Sequence, residues 1–164
     1  MLKTIVKILC GDYLEVNIKQ SEFNNNLFKP VIIILISSIA WCAGLYIKNV
    51  NEPNLFVMII SLTILGWGFW AFSIWFLGNR LLNIYQSYRS ILAILSFSYL
   101  PGILMVFIGF SIINTNIVWI ISRIWVLVIS IFIFRNFLNI SLRKSLFLVF
   151  FGWLFTQMIY GKFY

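Results

Sequence analysis

Chemistry in an apolar environment needs ionisable or metal-ligating side chains, and this sequence places a single one, Arg123, inside a long apolar run. The chain holds 12 Lys and Arg, 4 Asp and Glu and no His. All four acidic residues, Asp12, Glu15, Glu22 and Glu52, stand outside the apolar runs. A proton relay, a carboxylate ion site, a di-metal centre or a His-based catalytic pair therefore has no residues from which to form within them. Serines 37, 38, 96, 98, 122 and 130 have no neighbouring base, and hydroxyls so placed ordinarily bond a carbonyl of their own or an adjacent helix. Cys10 and Cys42 without a His make no zinc site, and they read as small apolar residues. The residues thus describe a protein that is not an enzyme and carries neither metal nor cofactor.

Arg123 supports two readings. It lies six residues into its run, about 9 Å at 1.5 Å per residue, so its side chain could snorkel to the nearer interface as an anchor. Alternatively it is a selectivity or docking charge facing a polar crevice. In either case Trp119, one turn away at i−4, is placed to take its guanidinium as a cation–π partner.

The elements that hold these residues follow from composition. Of 164 residues 62% are hydrophobic and only 10% charged, whereas a soluble domain carries about a quarter charged residues, so polar surface is too scarce to clothe a globule. Uncharged or nearly uncharged runs long enough to cross about 30 Å of hydrocarbon occupy 31–47, 55–77, 91–113, 117–134 and 145–161. Stretches such as VIIILI and WVLVISIFIF lack the alternation of a membrane barrel, which leaves helices as the way to satisfy the backbone in lipid. The expected fold is all-α: five transmembrane helices over 31–161, preceded by a cytoplasmic tail, 1–30, and followed by a short external tail, 162–164. Within the first tail, Leu2, Ile5, Val6, Leu9 and Tyr13 form an amphipathic stripe, read equally as an interfacial helix or as one packed on the bundle's loops.

Positive charge orients the bundle. With the N-terminus inside, Lys3, Lys7, Lys19, Lys29, Arg80, Arg89, Arg135, Arg143 and Lys144 are cytoplasmic, and only Lys48 and Lys162 lie outside, nine against two. This asymmetry accounts for nearly all of the +8 net charge, so the chain reads as a partner of membrane lipids and not of nucleic acid. The cytoplasmic tail, 1–30, and the loops 78–90 and 135–144, bearing Arg80, Arg89, Arg135, Arg143 and Lys144, are the candidate surface for a protein partner.

Small residues at helical spacing indicate close backbone approach: Ser37, Ala40 and Gly44 in the first run, Ser98, Gly102 and Gly109 in the third. Packing within one chain is the favoured use, with homo-oligomerisation as the alternative. Pro101 removes a backbone donor in mid-run, so a kink is expected there, with Ser98 positioned to repair the gap. Pro30 is expected at a first helical position, and Asn114-Thr115-Asn116 as a tight link between antiparallel neighbours. Trp67, Trp70, Trp125 and Trp153 fall too deep for an interfacial belt and read as packing residues.

The run YRSILAILSFSYLPGIL at 88–104, with IWVLVISIFIFRNFLNISLRKSLFLVF at 124–150, resembles the second half of the YIP family of Ypt/Rab-interacting membrane proteins. The resemblance rests on Ser98, Tyr99, Pro101 and Gly102, on Trp125, and on a basic loop before the last span. The chain departs from the eukaryotic family pattern in lacking an acidic Asp-Leu-x-Gly-Pro element before its first span, where Asn24 to Pro30 stands. What the resemblance implies is a non-enzymatic adaptor, accessory subunit or membrane-organising factor acting through partners or lipids. It implies a bacterial-type inner membrane or a plastid membrane, with the N-terminus cytoplasmic or stromal. A small-solute or ion transporter or channel subunit is the competing function.

Overall fold

The apolar runs fold as helices because a helix pairs every backbone N–H and C=O within its own segment. The computed structural model describes residues 27–50, 52–110 and 114–160. These form α1 (Phe28–Ile47), α2 (Pro53–Leu81), α3 (Tyr88–Phe97), a 3-10 helix (Leu100–Gly109), α4 (Thr115–Leu138) and α5 (Leu142–Tyr160), with no strand among the described residues. The amphipathic stripe of residues 2–13, Cys10 and the external tail lie outside the described residues. Of the helices, α1, α2 and α4 are each long and apolar enough to cross a membrane, and α3 with the 3-10 helix makes a fourth when the bent pair is taken as one.

Helix ends follow local chemistry. The Ser87 hydroxyl accepts from the Ser90 N–H at 3.2 Å to cap α3, and Asn114 Oδ1 accepts from the Asn116 N–H at 2.9 Å to cap α4. Asn49, Asn83 and Asn139, at φ 66°, 53° and 49°, turn the chain just beyond α1, α2 and α4, a conformation that Asn tolerates better than most side chains. Pro30 sits on the third residue of α1, with Leu27 as cap, so the helix starts earlier than expected; any first-turn position suits a residue without an N–H. The helices also outrun the apolar segments. Arg80 and Arg135 occupy the last turns of α2 and α4, Arg89 the first turn of α3, and Arg143 and Lys144 the first turn of α5. The expected basic loops are therefore mostly helix ends, because hydrogen bonding continues past the point where hydropathy falls.

Pro101 does break its segment. The two halves bend by 40°, and the backbone N–H groups of Ser98, Tyr99 and Gly102 bond three residues back, to Leu95, Ser96 and Tyr99. Beyond the break the chain continues as ten residues of 3-10 helix, a form seldom longer than three or four. At about 2.0 Å per residue there and 1.5 Å in α3, the pair still covers about 35 Å. Ser98 does not repair the gap: its Oγ is buried without a hydrogen-bond partner among the described residues.

The core is apolar, with hydroxyls interspersed, and the exterior is broadly apolar too. Ser37, Ser38, Ser96, Ser98, Ser122, Ser130, Ser145 and Thr156 are buried, while Ile39, Val57, Leu65, Phe72, Ile121, Phe155 and Met158 face outward. A broad apolar exterior over hydroxyl-bearing seams suits lipid as the surrounding medium. Ser38, Ser96 and Ser130 bond their own helices at 2.9, 2.6 and 2.7 Å, and Ser145 reaches the Ile131 carbonyl of α4 at 2.6 Å. Every residue of α3 from Ser90 to Phe97 is buried, so this half-helix forms the centre of the bundle.

The small residues pack within the chain. α1 lies closest to the 3-10 helix, α2 packs on α5, and α4 packs on both α5 and the 3-10 helix. A Cβ on Gly44 would overlap the Met105 carbonyl oxygen, and one on Gly102 would overlap the Ser37 hydroxyl. One on Gly109 would lie 2.5 Å from Ile47 Cβ. Gly102, Met105 and Ile108 are buried at a spacing of three, the spacing that a 3-10 helix aligns on one face.

Candidate functional site

Arg123 is half-buried on α4, and its guanidinium lies over two indole rings, 5.5 Å from the centroid of Trp119 and 5.9 Å from that of Trp41. Trp119 is the i−4 neighbour expected from spacing. Trp41 comes from α1, which is not among the helices packed closely on α4, so the guanidinium bridges a space between them. Placing Arg at the centre of a spanning helix costs about 2.5–3.5 kcal/mol on insertion scales, an upper bound for a residue about 9 Å from the end of its run, and each cation–π contact returns about 0.5–2 kcal/mol. The two rings therefore offset much of the cost of burying the charge. They do so without accepting a conventional hydrogen bond, and the guanidinium's N–H groups find no hydrogen-bond acceptor among the described residues.

The space is a cavity of about 410 Å³. Ser37, Ser38 and Trp41 line it from α1, and Ile59, Leu62, Thr63, Gly66 and Trp70 from α2. The bent segment contributes Tyr99, Gly102 and Met105; α4 contributes Trp119, Ser122, Arg123 and Val126; α5 contributes Trp153, Thr156 and Gln157. Each group runs from the middle of its helix toward the end of the bundle that carries the 48–52 and 110–114 links. The deepest wall is aromatic: Trp70 and Tyr99 meet edge to face at 6.0 Å, and the Trp70 Nε1–H is held by the Val149 carbonyl at 3.2 Å. Hydroxyls of Ser37, Thr63, Ser122 and Thr156 and the Gln157 amide intersperse the apolar lining. The volume and the mixture of aromatic walls with a few polar groups match those of small-molecule pockets.

No described helix contains Asp or Glu, and Glu52 in the link before α2 is the one acidic residue described. Arg123 thus confers net positive character on the cavity. Among the described residues no three His, Cys, Asp or Glu side chains gather as a metal site would require. The arrangement sets a cation beside aromatic walls in a partly open cavity, and its lining residues include no Asp, Glu, His, Lys or Cys.

The structure brings some of the singled-out residues together and separates others. Tyr99 and Gly102 reach the cavity, Pro101 shapes the break behind them, and Ser98 is buried beside it. Trp125 packs on the hydrophobic core instead. Arg80, Arg89, Arg135, Arg143 and Lys144 lie in the end turns of the helices that flank the 82–87 and 139–141 links, away from the cavity lining. Trp70 and Trp153, expected to be packing residues, also wall the cavity, whereas Trp67 is core, donating to the Leu92 carbonyl at 2.9 Å. Trp41, Thr63, Thr156 and Gln157 were not singled out from the sequence. The signal for Gln157 and Thr63 was present as polar residues within apolar runs; nothing in the spacing links Trp41 to Arg123. No protein-family model, curated protein or solved structure matches the chain.

Proposed function

We propose that this is a five-crossing, non-enzymatic membrane protein that holds a small solute within its helix bundle, as a binding or transport subunit. The observation that carries the reading is Arg123, a cation whose N–H edges have no described acceptor, in a cavity to which every crossing contributes. Supporting the fifth crossing, α5 has 19 residues, about 28 Å, and its charges Arg143 and Lys144 stand in its first turn, where headgroups would receive them. The distribution of basic residues supports an N-terminus on the cytoplasmic or stromal side, with the cavity in the outer half of the bundle.

The test is thermal unfolding in neutral detergent against panels of organic acids, amines, sugars and neutral amphiphiles, for wild type and for the cavity-filling Gly66→Leu. A ligand at about 100 times its Kd adds about 2.7 kcal/mol of stability. At least one class raises the unfolding temperature of wild type, and none raises that of Gly66→Leu. No shift with any class, together with a stoichiometric protein partner after gentle purification, would overturn the reading.

That partner would support the second reading, an adaptor of YIP-like type acting through the basic helix ends at the cytoplasmic face. What favours it is the position of Ser98-Tyr99-Leu100-Pro101, the family-like element, at the break of the central segment.

A further inference from the structure

We infer that the cavity takes a monoanionic amphiphile, with a carboxylate or phosphodiester head against Arg123 and a flat apolar body among Trp70, Tyr99 and Trp153. The inference rests on the binding reading above and names its ligand class.

Three features select this class. The first is the unmet donors: Trp41 and Trp119 meet the charge through their π clouds, 5.9 and 5.5 Å from ring centroid to Arg123 Cζ, and no described acceptor takes the guanidinium's N–H groups, so its fork of donors remains to be satisfied. That fork matches a carboxylate or a phosphodiester, which accept two parallel hydrogen bonds. The second is charge. The cavity's lining carries one cation and no carboxylate, so a single negative charge is neutralised there, whereas a dianion would leave one charge uncompensated in a low-dielectric site. A cation would meet Arg123 with repulsion. The third is shape: Trp70 meets Tyr99 at 6.0 Å and 65°, and with Trp153 these rings offer planar apolar walls on which an aromatic or aliphatic body can lie. Head and body sites together fill one continuous cavity of about 410 Å³.

Four of the chain's seven Trp residues, Trp41, Trp70, Trp119 and Trp153, line the cavity, so intrinsic fluorescence reports occupancy directly. The full-length protein in neutral detergent is titrated with 4-bromobenzoate, whose bromine quenches indoles, with isosteric uncharged 4-bromobenzamide, and with dianionic 4-bromophthalate. The monoanion quenches saturably and binds about tenfold or more tightly than either comparator, the range expected for hydrogen bonds to a charged group. Arg123→Gln erases the preference, and Arg123→Lys keeps part of it by retaining the charge without the fork. The three-ligand comparison on wild type stands even where a variant folds poorly.

Added phosphatidylglycerol, with phosphatidylcholine as control, separates the two sources of the head. Displacement of the bromobenzoate assigns it to a lipid phosphodiester, and no displacement assigns it to a water-borne carboxylate. Equal binding of amide and benzoate would overturn the monoanion class while leaving an occupied cavity. Absence of saturable quenching by all three, together with no thermal stabilisation by any solute class, would overturn the binding reading as well.

Discussion

Replacing Gly102 by Ala tests the contact that closes α1 onto the bent segment at the edge of the cavity. The new Cβ would overlap the Ser37 hydroxyl and stand 3.1 Å from Ser37 Cβ, but 3.9 Å from Ser37 Cα. Rotation of Ser37 relieves the first contact and not the second, so the helices must part by a few tenths of an ångström. Overpacking of this kind costs about 1–3 kcal/mol, from which the helix preference of Ala over Gly subtracts up to about 1. The net destabilisation is about 1–2 kcal/mol. At about 2–4 °C per kcal/mol for a chain of this size, unfolding shifts down by about 2–8 °C. Gly44→Ala is worse, because its Cβ meets backbone, the Met105 oxygen and Val106 at 3.2 Å, which no rotamer change can move. Gly68→Ala is the internal control: its nearest neighbour would be the Tyr88 hydroxyl at 3.8 Å, so it is neutral or stabilising by up to about 1 kcal/mol. The decisive variant is the double replacement Ser37→Gly with Gly102→Ala, which removes the colliding atoms and restores stability beyond the sum of the single changes. Thermal unfolding in detergent, read by a thiol-reactive dye on Cys42 in a Cys10→Ser background, measures all of these. Gly102→Ala as stable as wild type, or a double variant no better than additive, would refute this packing.

The remaining expectations concern the core and the topology. Ser98→Ala removes a buried hydroxyl without a partner, so stability rises by about 0.5–2 kcal/mol; a loss in the same thermal assay would mean that the hydroxyl is satisfied. Trp67→Phe leaves the Leu92 carbonyl without its 2.9 Å donor in the buried centre and lowers stability by about 1–3 kcal/mol, a larger effect than any conservative change at exposed Phe72. In a background lacking Cys10 and Cys42, Glu52→Cys reacts with a membrane-impermeant maleimide in intact cells, and Tyr85→Cys reacts only after permeabilisation; the reverse pattern would invert the orientation.

The apolar runs were legible as helices because a helix pairs its backbone within its own segment, and three of them, or four with the bent pair, are long and apolar enough to cross a membrane. Their ends were not, since Arg80, Arg89 and Arg135 continue helices that hydropathy alone would stop. The small residues at 37, 44, 102 and 109 were legible as contact positions, and the structure pairs them within the chain. The ten-residue 3-10 stretch was not, because Gly102, Met105 and Ile108 fit a three-residue period that a search at 3.6 passes over. Arg123 with Trp119 was readable from i−4 spacing. Its second ring, Trp41, is 82 residues away along the chain and is brought near by the packing of α1 on the 3-10 helix, a relation that no local pattern encodes. The cavity was hidden for the same reason: its hydroxyls come from four separate helices, and each looks like ordinary self-bonded serine or threonine until the helices are assembled.

Native mass spectrometry of wild type and Arg123→Gln, released side by side from the same native membranes, tests the central claim most directly. Wild type emerges with a bound small molecule that dissociates as a singly charged anion, and Arg123→Gln emerges without it. Wild type and variant carrying the same adducts, or wild type bare while the protein is folded, would contradict the account.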